Sequence, residues 1–142
     1  MQEIWKDIPN FEGLYQISNL GNVKTLDKYV NSAIKNNSKI KRKEQILKKY
    51  NKRGYLQVSL SKNHKRYYFN VHKLVAITFI PNPDNLPQIN HKDENPMNNC
   101  VDNLEWCTAK YNCNYGTRNN KIYNKTSFRK GYIPWNKDKK LK

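Results

Sequence analysis

The sequence predicts an α+β fold: an N-terminal antiparallel β region, one linking helix, and a strand–loop–strand–helix unit. Three observations predict it. Short apolar stretches alternate with turn residues through the first half, as in YQIS and VKTL and then YLQVSLS and RYYFNV. The period changes at VHKLVAITFI, and Gln88–Asn112 reads QINHKDENPMNNCVDNLEWCTAKYN, a turn-rich block between two short strand-like pieces.

The opening segment, EIWKDIPNFEGLYQISNLGNVKTL, reads as a hairpin turning at Asn19–Asn22, with Trp5, Ile8, Phe11 and Tyr15 as packing residues. The stretch from Asp27 to Gly54 is dominated by Lys, Arg and Asn and reads as a loop or weak strand pairing in water. YLQVSLS and RYYFNV, joined at KNHK, form a second ribbon. One of its faces packs inward while the other presents Lys62, Lys65 and Arg66 to phosphates. In VHKLVAITFI, His72, Val75 and Phe79 recur at three and four residues beside Leu74 and Ile77, which predicts a short buried helix ended by PNPDNLP. Gln88–His91 and Leu104–Cys107 read as strands, and Thr108 starts a helix that stops near Gly116. In such a unit Asn90 and His91 converge with Asn112.

Charge narrows the function. The 142 residues carry 27 Lys and Arg against 11 Asp and Glu, a formal charge of +16. Self-repulsion on that scale is relieved by a polyanion, and nucleic acid is the natural one because neutralised phosphates release counterions. Only 37% of residues are apolar, enough for one compact domain of about 100 residues plus extensions. The longest apolar run, Leu74–Ile80, falls far short of the roughly 20 residues a bilayer needs, and MQEIWKDIPN lacks the apolar core of a secretory signal. No membrane association and a cytoplasmic location are the expectation. Cys100, Cys107 and Cys113 are spaced too widely for a structural zinc site, so none is expected; they read as mostly buried thiols.

The block around His91 resembles the HNH endonucleases, and among them the phage and intron-encoded homing type of the HNN subgroup. The resemblance rests on NHKDENPMNN, on NLEW, and on the Asn of TAKYN. Upstream, VHKLVAITFIPNP is similar to the same subgroup, and EIWKDIPNFEGLYQISNLGNVKTL is similar to a modular motif found at the N-terminus of these nucleases. It implies a ββα-metal (His-Me finger) unit that hydrolyses one phosphodiester of double-stranded DNA with one Mg2+ or Mn2+ per site. His91 would be the general base, Asn103 would tie the loop to the strand, and Asn90 and Asn112 would hold the cation. His72 takes a structural or substrate-positioning role, and Lys92 joins the phosphate-facing cations.

Two departures stand out. Asn90 is neutral where some members carry Asp, so the site has two amide ligands and no carboxylate. Glu94 stands where HxDGN has Gly, which implies either a strained left-handed residue or a differently shaped turn. Asn98 and Asn99 read as turn residues, His64 as solvated and Trp106 as core. The tail from Thr117 is basic and aromatic; its GYIPWNK is similar to another modular nuclease motif, and Arg129, Lys130 and Lys137 would follow DNA. The organisation is therefore 1–71 (β-rich, DNA-binding), 72–116 (helix and nuclease unit) and 117–142 (tail). A monomer would nick and a dimer could cut both strands. The competing reading is a catalytically decayed DNA-binding protein of the same fold, with RNA as a further possible target.

Overall fold

The computed structural model describes residues 1–32, 34 and 38–117. Met1–Asn112 is one compact unit, and a second begins at Cys113. The strands in chain order are β1 (Trp5–Asp7), β2 (Tyr15–Ser18), β3 (Val23–Thr25), β4 (Lys28–Asn31), β5 (Lys39–Arg42), β6 (Gln45–Ile46), β7 (Tyr50–Lys52), β8 (Tyr55–Lys62), β9 (Lys65–Asn70), β10 (Gln88–His91) and β11 (Leu104–Cys107). Helix α1 (Val71–Phe79) follows β9, and α2 (Ala109–Asn114) follows β11. Every pairing is antiparallel, in sheets ordered β1-β2-β3-β6, β4-β5, β7-β8-β9 and β10-β11.

Turn chemistry sets the hairpins. Between β8 and β9, Asn63 and His64 have φ of 52° and 62°, and between β7 and β8, Arg53 and Gly54 have φ of 54° and 88°. Positive φ at both central residues matches the right-handed twist of the flanking strands, which is why Asn and Gly stand there. The β4–β5 ladder sets Lys28 opposite Arg42, and all of β5 is exposed, so the weak solvated pairing expected of this segment is what forms.

The core joins the N-terminal strands to everything downstream. Ile8, Phe11, Tyr15, Ile17 and Val23 pack with Val58 and Leu60 of β8, with Val71, Leu74 and Val75 of α1, and with Leu104 of β11. The Tyr15 hydroxyl adds a polar link, accepting from the Ser61 N–H at 2.9 Å. At about 1.5–3 kcal/mol per fully buried aliphatic or aromatic side chain, this cluster dominates the stability of the unit. Helix α1 runs straight from β9, buries Val71, Leu74, Val75 and Ala76, and ends before Pro81. Ile77, expected beside the buried stripe, is 46% exposed because the stripe turns toward residues 71, 74 and 75. Trp5 is only half-buried, with the Lys24 ammonium 4.7 Å from its ring.

The cations of the second ribbon do not share a face. Lys62 pairs with Lys65 across the ladder, on the side of Val58 and Leu60, while Arg66 pairs with Ser61 on the opposite side. Adjacent residues of a strand must point to opposite faces, so Lys65 and Arg66 cannot be presented together. Lys62 is engaged locally: its ammonium donates to the Asn10 carbonyl and lies 5.7 Å from the Phe11 ring. Lys65 and Arg66 are exposed.

The turn between β2 and β3 has a structural partner far along the chain. Gly21 has φ +82°, and a Cβ built there would lie 3.1 Å from Asn99 Cβ, 3.2 Å from its carbonyl oxygen and 3.4 Å from Val71 Cγ1. Only glycine meets both demands. Gly21→Ala is therefore expected to lose roughly 1–3 kcal/mol of stability, read as a lower urea midpoint at unchanged slope; a neutral effect would show that this close approach can relax freely.

Candidate active site

The loop between β10 and β11 is held by its own amides. Glu94 donates its N–H to the His91 carbonyl at 3.0 Å and sits at φ +59°, so of the two alternatives the left-handed residue is the one realised. Asn103, in a 3-10 turn spanning Val101–Asn103, then laces the loop shut. Its Oδ1 accepts from the Asp93 N–H at 3.0 Å, its Nδ2 donates to Asp93 Oδ1 and the Asn98 carbonyl at 2.9 Å each, and its carbonyl accepts from the Lys92 N–H at 2.8 Å. Donation from the Asn98 amide, then the Asn95 N–H and the Asn103 amide, holds the Asp93 carboxyl below the usual range. Lys92 is exposed, its ammonium 3.3 Å from the Asp102 carbonyl.

His91, the last residue of β10, is 3% exposed. Its Nε2 lies 3.0 Å from Asn99 Oδ1. With the amide oxygen turned to it as here, the matching tautomer is the one with the proton on Nε2 and the lone pair on Nδ1. The His72 ring meets the His91 ring edge-on at 5.1 Å, and Tyr55 lies 5.3 Å from His72 and 6.3 Å from His91. Burial, with smaller contributions from His91 and Lys73, pushes His72 down to about 4, so it is uncharged at neutral pH. His72 Nδ1 and Asn99 Nδ2 are buried without a hydrogen-bond partner.

The other face of the β10–β11 ladder carries a second group. Strand alternation puts Gln88 and Asn90 on one side, and Asn90 is paired in register with Glu105. Asn90 is fully buried; its Nδ2 donates to Glu105 Oε1 at 2.8 Å, while its Oδ1 is buried with no partner. Thr108 caps α2 by accepting the Tyr111 N–H at 3.1 Å, and α2 then crosses this face. Asn112 Nδ2 donates to Gln88 Oε1 at 2.8 Å, and the Tyr111 hydroxyl donates to Glu105 Oε1 at 3.3 Å. An open pocket of about 260 Å³ is lined by Tyr55, Asn70, His72, Gln88, Trp106 and Asn112 among others. Trp106 is half-buried and pins β11 to the end of α1 through a 3.0 Å bond to the Ile80 carbonyl.

Thus His91, Asn99 and His72 form one group and Asn90, Glu105 and Asn112 a second, and the pocket that His72 and Asn112 both line lies between them. Asn99 and Glu105 were not expected at the site: Asn99 reads as a turn residue, and nothing in the sequence sets Glu105 opposite Asn90. Among the described residues no three His, Cys, Asp or Glu side chains gather to hold a metal, so the candidate donors are amide oxygens. Cys107 is buried and Cys100 half-buried, but Cys113 is exposed on α2, contrary to the expectation of buried thiols, because it lies about 100° around the helix from Asn112. Arg129, Lys130 and Lys137 lie outside the described residues.

The NUMOD4 motif matches residues 3–61. An uncharacterized HNH endonuclease of Acanthamoeba polyphaga mimivirus, L245, is 41% identical over 123 residues, 85% of this chain and 32% of its own length. The DNA endonuclease I-HmuI of Bacillus phage SP01 is 40% identical over 108 residues, 76% of this chain and 54% of its own. The chain belongs to the HNH homing endonuclease family. A solved structure of DNA binding and cleavage by the HNH homing endonuclease I-HmuI matches with a TM-score of 0.65 at 34% identity, over 85% of this chain and 61% of that one. The α+β, strand-rich architecture is therefore that of an HNH family member. The chain spans about a third of the mimivirus relative and about half of I-HmuI. No helix of the described residues is long and apolar enough to cross a membrane.

His72 gives a pH test of this geometry. Its folded value of about 4 lies below the ordinary 6.5, so between them the unfolded chain binds more protons. Its contribution is fully present above pH 6.5 and is lost as pH falls toward 4. With the ring partly reached by solvent, this is on the order of 2 kcal/mol. His72→Phe is expected to flatten the acid limb of urea midpoints between those pH values; an unchanged limb would place the ring in water.

Proposed function

We propose that this chain is a metal-dependent, site-preferring DNA endonuclease of the homing type that nicks one strand per active site. The observation that carries the reading is the buried, partnerless Oδ1 of Asn90, on the strand face that α2 crosses with Asn112 and one residue from His91. A hard divalent cation such as Mg2+ or Mn2+ suits that atom, since both favour oxygen donors and neither requires thiolate or imidazole. Residues 72–116 would then be a ββα-metal unit, residues 1–71 a DNA-binding region, and 117–142 a tail along the DNA.

In this mechanism Asn90 and Asn112 would hold the cation through their amide oxygens. They bring no formal charge, so phosphate oxygens of the substrate are needed to complete the shell. When bound, the cation supplies Lewis-acid stabilisation of charge on the phosphorane and on the departing 3′ oxygen. Asn99 fixes the proton of His91 on Nε2, and Nδ1 takes the proton of the attacking water. His72, uncharged, packs against His91 without competing for that proton. Asn103 keeps the loop closed behind the base. The formal charge of +16 supports duplex DNA as partner, with Lys65, Arg66 and Lys92 as exposed phosphate contacts and Lys62 reaching phosphate only by leaving Asn10.

A supercoiled-plasmid assay tests the reading. Mg2+ or Mn2+ is expected to give nicked circles, chelator to abolish them, and His91→Ala to slow them by about 10²–10⁴-fold. Supercoiled DNA that survives every metal and pH while gel shifts persist would leave a DNA-binding protein without catalysis. Labelled duplex RNA cut at the same rate as DNA would overturn the choice of substrate.

A further inference from the structure

An amide serving as a metal ligand meets a difficulty that a carboxylate does not. The two oxygens of a carboxylate are equivalent, whereas an amide turned the wrong way presents an NH2 group to the cation. Something must set the sense of the Asn90 amide. We propose that Glu105 is the positioning residue that aims the Asn90 oxygen at the cation and supplies, through that amide, the negative charge the two amide ligands lack. This rests on the reading of Asn90 as a ligand.

The register of the ladder makes the two residues partners, Asn90 on β10 opposite Glu105 on β11. A carboxylate oxygen only accepts hydrogen bonds, so the end of the amide 2.8 Å from Glu105 Oε1 must be the NH2. The other end is then necessarily oxygen, and it is the buried atom with no partner in the protein. Turning the amide over would press two acceptors together at that distance and bury an NH2 with nothing to receive it, which costs about 1–3 kcal/mol for the orphaned group alone.

Glu105 is itself anchored. The Tyr111 hydroxyl donates to the same Oε1 at 3.3 Å, from the residue just before Asn112 on α2. One carboxylate therefore links the strand that carries Asn90 to the helix that carries Asn112. Gln88 cannot take this part for Asn112, because its own amide can present either end. A charge-assisted bond to the NH2 also draws electron density toward the amide oxygen and makes it a better donor to a hard cation, the effect outer-shell partners exert on metal ligands generally.

The test titrates Mn2+ into the 15N-labelled full chain and reads, by NMR, the concentration that half-broadens the backbone amide signals of residues 89–91. Glu105→Gln is expected to raise that concentration about tenfold. In an Asn90→Asp background the same Glu105→Gln change is expected to leave it unaltered or lower it, because aspartate needs no aiming and two facing carboxylates repel. Glu105→Gln indistinguishable from the parent, while Asn90→Ala loses the broadening, would overturn this inference and leave Asn90 a ligand. Asn90→Ala that broadens like the parent would remove the ligand reading itself, and this inference with it. If Glu105→Gln does not fold, the Asn90→Asp pair decides: a tenfold weakening there too would reduce Glu105 to a packing residue.

Discussion

The bond between His91 Nε2 and Asn99 Oδ1 is the interaction on which the rest of the site depends, and it is fixed from behind by the N-terminal hairpin. Asn99 is 4% exposed, and a Cβ added at Gly21 would lie 3.1 Å from its Cβ and 3.2 Å from its carbonyl oxygen, closer than side chains normally pack. Two residues on, the Val101 N–H donates to the Asn19 carbonyl at 2.8 Å. The β2–β3 turn thus serves as the wall against which the loop carrying Asn99 is set. A histidine acting as a base needs one nitrogen protonated and the other free, and a rigid acceptor is how a protein chooses which. Because the wall belongs to the NUMOD4 segment, that motif shapes the candidate active site besides any contact it makes with DNA.

The same packing explains why motif limits and folding limits differ here. The NUMOD4 match ends at residue 61, one residue before the end of β8, while β9, the other half of that ribbon, lies beyond it. The buried cluster runs from Ile8 through Val58 to Leu104 without a break. Charge contributes little cohesion where it is paired in Lys24–Glu44 and Lys41–Asp27, since solvent-accessible pairs of this kind contribute at most about 1 kcal/mol. In the β4–β5 ladder a like-charged pair, Lys28 and Arg42, even works against the fold. Apolar burial is what holds the unit together.

Much of this was legible in the sequence because it is local. Alternation and turn residues placed β2–β3 and β8–β9, the change of period placed α1, and the glycine-like position of Glu94 carried its left-handed backbone into view. Asn103 was legible as the residue that ties the loop through the family pattern, and its bonds to Asp93, Asn98 and Lys92 give that tie a physical form. What was not legible depends on pairings between distant residues. Asn99 is eight positions from His91 with no periodic relation to it, and only the packing of Gly21 turns it inward. Glu105 becomes the partner of Asn90 through a strand register that composition does not set. The grouping of Lys62, Lys65 and Arg66 failed for a simpler reason, since the register that makes the ribbon also sends neighbouring side chains to opposite faces.

Satisfied and unsatisfied polar atoms divide along the same line. The described residues bury four side-chain polar atoms without partners, on His72, Thr78, Asn90 and Asn99, and three of these residues surround or adjoin His91. Each such atom costs folding about 1–3 kcal/mol, which a core built from Ile, Val, Leu and Phe can absorb but does not require. Their clustering places the sacrificed stability at the candidate site, as expected of residues arranged for something other than folding alone. A cation bound at Asn90 Oδ1 would remove one of these costs, so its binding would favour the folded form in proportion to its concentration over its dissociation constant. On the proposed reading the two amide donors and the weak net gain they offer make sense together: the free chain would hold its ion loosely, and a DNA phosphate would complete both the coordination and the neutralisation of a strongly basic chain.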